Sequence, residues 1–121
     1  MNFPNFHDGF FDGFRVAEKT AQLFLRTADQ KLFTLVLQGV RALKLSGARE
    51  GNIILDLVIR DGDQMTLIDM QEVYGLAPDA PQADKSLKES REQGLQLLEL
   101  NPSYGAEGLV LFETFEVTPG S

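Results

Sequence analysis

The chain has 121 residues, with eleven Lys and Arg against eighteen Asp and Glu, a net charge of −7, a single histidine and no cysteine. That length suits one domain around one core, and the missing cysteine excludes disulfides, thiolate catalysis, Cys-ligated zinc and iron–sulfur clusters. Both signs of charge are scattered without a basic stripe, which disfavours the phosphate neutralisation that nonspecific nucleic-acid binding rests on, and the longest apolar run, Leu35-Val36-Leu37, is far short of the ~18 residues of a membrane helix.

The chain opens on Phe6-His7-Asp8-Gly9-Phe10-Phe11-Asp12-Gly13-Phe14, which holds the histidine and two Asp-Gly-Phe units. Histidine titrates near neutrality and an adjacent Asp can orient it. The same residues also read as a docking segment, the phenylalanines packing on the core while each Asp-Gly turns the chain; that structural reading is the preferred one. Period-two alternation then predicts one bent strand or two strands over Phe14–Arg26, and another over Lys31–Gln38 with Phe33, Leu35 and Leu37 on one face. Gly39 predicts a bulge or bend that lets Val40–Ser46 turn away, and Gly47–Asn52 reads as a loop. Ile53–Arg60 is the strongest strand, with Asp56 and Arg60 on a wet second face.

Asp61-Gly62 predicts a tight hairpin turn into a strand over Gln64–Met70, with a short helix over Thr66–Tyr74 as the competing reading. Ala83–Gln93 predicts a hydrophilic surface helix supported by spacings such as Lys85/Glu89, gripping the core through Leu87 alone, with a mobile loop as the competing reading. Two apolar runs, Leu95–Leu100 and Leu109–Val117, are joined by a connection over Asn101–Gly108 that carries Ser103, Tyr104 and Glu107. Long ordered loops on a rigid sheet are where binding groups sit, so Tyr104 and Glu107 are the candidate binding residues. The pattern predicts a mostly β fold, α+β at the margin: an antiparallel β-sandwich or half-open barrel of about seven strands with one short hydrophilic surface helix, in a single domain spanning 1–121.

No catalytic constellation is complete. Asp61–Glu72 places acids at EF-hand positions 1, 3, 9 and 12, but Met65 stands where an oxygen ligand belongs and Thr66 where the turn glycine belongs. One histidine without cysteine leaves no zinc shell, so neither metal nor cofactor is expected. A hydrolase or isomerase would have to combine His7 and Asp8 with the Ser103–Glu107 loop, Ser103 serving as nucleophile outside any Gly-x-Ser-x-Gly elbow. The leading expectation is therefore a non-enzymatic binding module with a protein partner, a basic one on grounds of charge. Free sheet edges leave a homodimer open.

Phe6-His7-Asp8-Gly9, Gly51-Asn52-Ile53-Ile54-Leu55-Asp56 and Ser103-Tyr104-Gly105-Ala106-Glu107 together resemble a scattered group of small bacterial proteins of mostly β structure. The resemblance implies a bacterial cytoplasmic protein and carries no activity with it. Some small acidic bacterial proteins of this look are immunity partners of toxins, an analogy that again implies a protein partner.

Overall fold

The computed structural model describes residues 3–120. Short runs with alternating apolar residues become eight strands: β1 (Phe10–Ala17), β2 (Thr20–Arg26), β3 (Leu32–Gln38), β4 (Ala42–Ser46), β5 (Asn52–Arg60), β6 (Gln96–Tyr104), β7 (Glu107–Phe112) and β8 (Thr114–Pro119). A 3₁₀ turn (Gly62–Gln64), α1 (Leu67–Tyr74) and α2 (Gln82–Glu92) lie between β5 and β6. All pairings are antiparallel, in the order β4-β7-β6-β5-β1-β2-β3-β8.

The two ends of that order are joined by continuous chain. β3 runs into β4 and β7 runs into β8, the second pair separated by Glu113 alone, and the two bent strands pair from Phe33↔Pro119 to Gln38↔Thr114 and again from Ala42↔Leu111 to Ser46↔Glu107. The bend sits at Gly39, as its position in the strand pattern predicts. Its φ of +67° is accessible to glycine, and a Cβ there would collide with the Glu113 side chain. On the far side β1 and β5 pair only at Phe10↔Ile53 and Phe11↔Asn52. Asp8 N–H to the Ile54 carbonyl and Ile54 N–H to the Gly9 carbonyl, both 2.9 Å, extend the seam. Beyond it, among the described residues, β5 has no strand on its outer side from Asp56 to Arg60, so the sheet curls into a half-open barrel.

Alternation gives the sheet two apolar faces. The inner one gathers Phe11, Leu23, Leu25, Leu35, Leu37, Ile54, Leu98, Leu100, Val110 and Phe112, with Phe6 of the opening segment among them. The outer face of β6 and β7 carries Leu97, Leu109 and Leu111, which pack against Met65, Met70, Val73, Ala83 and Leu87 of the helical insertion. Burying a side chain of this kind is worth about 1.5–3 kcal/mol, so the helices are held by a core of their own.

Several sequence expectations are corrected. Gln64–Met70 is no strand: Thr66 Oγ1 accepts the Asp69 N–H at 3.2 Å and Asp69 accepts the Thr66 N–H at 2.8 Å, a reciprocal cap that starts α1 and puts Met70 and Val73 on its buried side. Asp61-Gly62 makes no hairpin; Asp61 accepts the Asp63 N–H at 3.2 Å and opens the 3₁₀ turn. α2 grips through Ala83 and Ser90 as well as Leu87, and with α1 there are two helices. Asn101–Gly108 is mostly strand, β6 and β7 being joined by Gly105-Ala106 alone; Leu109–Val117 is divided at Glu113, so the strands number eight.

Candidate functional site

Phe6–Gly9, Gly51–Asp56 and Ser103–Glu107 meet in space, and what they build is the seam between β1 and β5. The buried Asn52 side chain donates from Nδ2 to the Phe11 carbonyl at 3.1 Å and accepts at Oδ1 from Ala106 N–H at 3.0 Å and Arg49 N–H at 2.7 Å. It thereby ties β1, β5 and the β6–β7 turn, at which Gly105 has φ +91° and a Cβ would run into Asn52. A buried amide with its bonds made specifies register strongly, since leaving any of those partners alone is costly.

A concavity lies elsewhere, on the outer face of β4, β7 and β6 beside α1. Its volume is about 420 Å³, and it is lined by Lys44, Ser46, Glu99, Asn101, Glu107, Leu109 and, from α1, Ile68, Asp69 and Glu72. The strand register explains the lining. Lys44 pairs with Leu109, Leu109 with Glu99 and Glu99 with Val58, so one row of side chains crosses four strands on one face. Ser46↔Glu107 belongs to the next row, and its Ser46 Oγ lies 3.5 Å from Glu107 Oε1. Ile68, 63% exposed, stands on the helical rim.

One wall of the cleft is held by Arg60. Its Nη1 and Nη2 each donate to an Asp69 oxygen at 2.9 Å, Nη2 also to Glu99 at 2.6 Å, and Nη1 to the Gln64 carbonyl at 3.1 Å. The Arg60 side chain is only 18% exposed and Asp69 11%. Burial pushes the Asp69 carboxyl upward, but the Arg60 fork and the Thr66 N–H outweigh it and hold Asp69 below the usual carboxylate range. The Asp69 fork in turn raises the Arg60 guanidinium. Asn101 continues the chain, donating to Glu99 at 2.8 Å and to Asp56 at 2.7 Å. Glu72 and Glu107 take no ion-pair partner among the described residues, nor does Lys44.

Of the residues singled out by sequence, Glu107 lines this cleft, while Tyr104 is exposed at the Ile53↔Tyr104 end of the β5–β6 ladder and Ser103 is exposed beside it. His7 lies at a shallow depression with Asn5, Asp29 and Lys31. Its Nδ1 is 2.5 Å from the Leu55 carbonyl, an acceptor, so Nδ1 bears the proton; Nε2 is 3.5 Å from Asp8 Oδ2. No hydrogen bond joins Ser103 to His7 or Asp8 among the described residues. No group of three or more His, Asp or Glu among them is placed to hold a metal ion, and no described helix is long and apolar enough to cross a membrane.

Sequence reasoning missed Asp69, Glu72, Glu99, Asn101 and Lys44 as a set. The available signal was the pair Asp56 and Arg60 on a strand otherwise apolar, which marks an outer face with partners to be found. Comparison with protein-family models, with curated proteins and with solved structures finds no match to the chain.

Proposed function

We propose that the chain is a non-enzymatic binding module whose acidic cleft receives a basic segment of another protein. The observation that carries this is the cleft itself: four carboxylates, Asp69, Glu72, Glu99 and Glu107, face one lysine in a concavity set on paired strands. Arg60 occupies Asp69 and part of Glu99, which leaves Glu72 and Glu107 free to meet an incoming cation. Leu109 and the exposed Ile68 offer apolar contact beside them, the mixture that suits an Arg or Lys side chain with its aliphatic stem. The resemblance carried by Phe6–Gly9, Gly51–Asp56 and Ser103–Glu107 favours a bacterial cytoplasm as the setting and an immunity-protein-like role for this chain toward its protein partner. A hydrolytic role for His7, Asp8 and Ser103 has less support, because among the described residues no serine or threonine hydroxyl lies within bonding distance of the imidazole, which stands largely exposed at the surface.

The test titrates the protein with labelled peptides in which Lys and Arg alternate with apolar residues, with Glu-containing peptides of equal length as the control. Binding confined to the basic set, weakened by salt and cut roughly tenfold or more by the double change Glu72→Lys and Glu107→Lys, is the expected result. Equal binding of both sets, or affinity that the double variant leaves intact, would sink the reading.

A further inference from the structure

We infer that the open edge of β5 is a dimer interface, filled by β5 of a second copy of this chain in antiparallel register about Val58. An unpaired edge is a template for another strand, and proteins blunt such edges with lysine, proline or bulges. The other free edges here are treated in that way: β4 carries Lys44, β8 ends in Pro119, and the far half of β1 follows a bulge at Phe11/Gly13 and bears Arg15. The stretch Asp56–Arg60 of β5 has no lysine, proline or bulge, and its two charges are of opposite sign. It lies beyond the β5 irregularities, which end at Asp56, and exposes Val58 to 40%.

What identifies the occupant is the sequence of the edge read against itself. A twofold axis at Val58 places Val58 beside its own copy, Leu57 opposite Ile59 and Asp56 opposite Arg60, with both charge pairs generated at once by the symmetry. An isologous interface needs such self-complementarity, and a shift of register by one residue would set Asp56 against Ile59 and turn the apolar inner-face residues outward. Asp56 is exposed and held by Asn101 alone, so it has capacity to spare. Arg60 Nε is the buried side-chain nitrogen that finds no acceptor within one chain among the described residues. Leu57 and Ile59, half-buried at the rim of the inner core, gain cover from the same pairing.

Directly opposed residues of an antiparallel pair point to one side of the sheet. The row Lys44–Leu109–Glu99–Val58 therefore continues across the axis into its copy, and the dimer presents two acidic clefts on one face. A basic partner with two suitable segments would meet both, with the gain of linked binding. The dimer itself does not depend on what the clefts bind.

Sedimentation equilibrium of the full chain across the micromolar range tests the interface, with native-state amide exchange of Asp56–Arg60 as a second readout. A dimer is expected, with those amides better protected as concentration rises. Val58→Lys sets two ammonium groups at the axis and Asp56→Arg faces Arg60 twice with like charge, so each should weaken the dimer roughly tenfold or more, while Glu116→Lys on the β8 edge leaves it unchanged. The altered side chains are exposed, and a melting curve like that of the parent checks that each variant folds. A monomer throughout the range, or a dimer that both β5 variants leave intact, would overturn the inference.

Discussion

The turn at His7 and the junction of β5 with α1 both set a basic side chain beside carboxylates, yet the two are physically unlike. His7 and Asp8 are 57% and 66% exposed and 3.5 Å apart, neighbours in sequence with water on most sides. Arg60 and Asp69 are nine residues apart, mostly buried, and joined by a two-pronged fork that also reaches Glu99 on another strand. Exposed pairs are worth little, because water screens the attraction and holding two side chains costs entropy. A desolvated fork with its remaining oxygens satisfied couples an entire helix to the sheet. Conspicuous residue types thus cluster where the chain is locally dense in them, whereas the groups that shape the cleft come together only through strand register.

The comparison sharpens first inside the opening segment. If that segment serves as an anchor, its energy resides in Phe6, whose buried ring meets Phe33 and Phe3 edge-on at 5.8 and 5.6 Å. Phe6→Ala should cost about 3–4 kcal/mol by denaturant unfolding, the usual loss for a buried phenylalanine. A loss below about 1 kcal/mol would mean that the segment merely rests on the barrel.

Arg60→Met comes next, at about 3 kcal/mol, since it strands Asp69 and Glu99 beside an apolar side chain. Acid separates this from simple loss of packing. Asp69 is held below its ordinary value of 3.8, so its contribution to stability is complete above that pH and disappears as pH falls through the lower folded value. The stability gap between parent and variant should therefore narrow in acid below about pH 4. A gap that stays constant down to strongly acidic pH would assign the cost to shape alone.

The strands were legible because alternation is a local property: Leu23 and Leu25, Leu35 and Leu37, and the Ile53–Arg60 run each declare their buried side within a few residues. The bend at Gly39 was legible for the same reason. The strand was preferred to the helix over Thr66–Tyr74 that forms because Thr66, Ile68 and Met70 alternate as well as Leu67, Met70 and Tyr74 make a helical stripe, and the deciding reciprocal cap between Thr66 and Asp69 is a bond pattern that period two obscures. Asn101–Gly108 looked like a loop because Pro102 and Gly105 dominate its composition, although ladder pairing to Ile53 and Ile54 carries the strand through Tyr104. Of the cleft, Glu107 alone was named as a binding residue in advance, and for its place in a supposed loop, while Asp69 and Glu72 entered only as EF-hand positions. Glu99 and Lys44 are unremarkable in the chain, and what unites them is that β7 lies between β4 and β6, a fact of topology that no window of residues contains.

The smallest expected effect completes the contrast. His7→Ala removes one hydrogen bond, Nδ1–H to the Leu55 carbonyl, and one weak approach to Asp8, both at the surface. The freed carbonyl is exposed enough for water to replace the donor, so stability should change by no more than about 0.5 kcal/mol. Binding of basic peptides at the cleft should also be unchanged, because His7 lines a different depression with Asn5, Asp29 and Lys31. A loss of 2 kcal/mol or so would show that the imidazole, and not Phe6, fastens the opening segment to β5. A change in peptide affinity without a change in stability would instead move the functional centre of the molecule to the turn where the histidine sits.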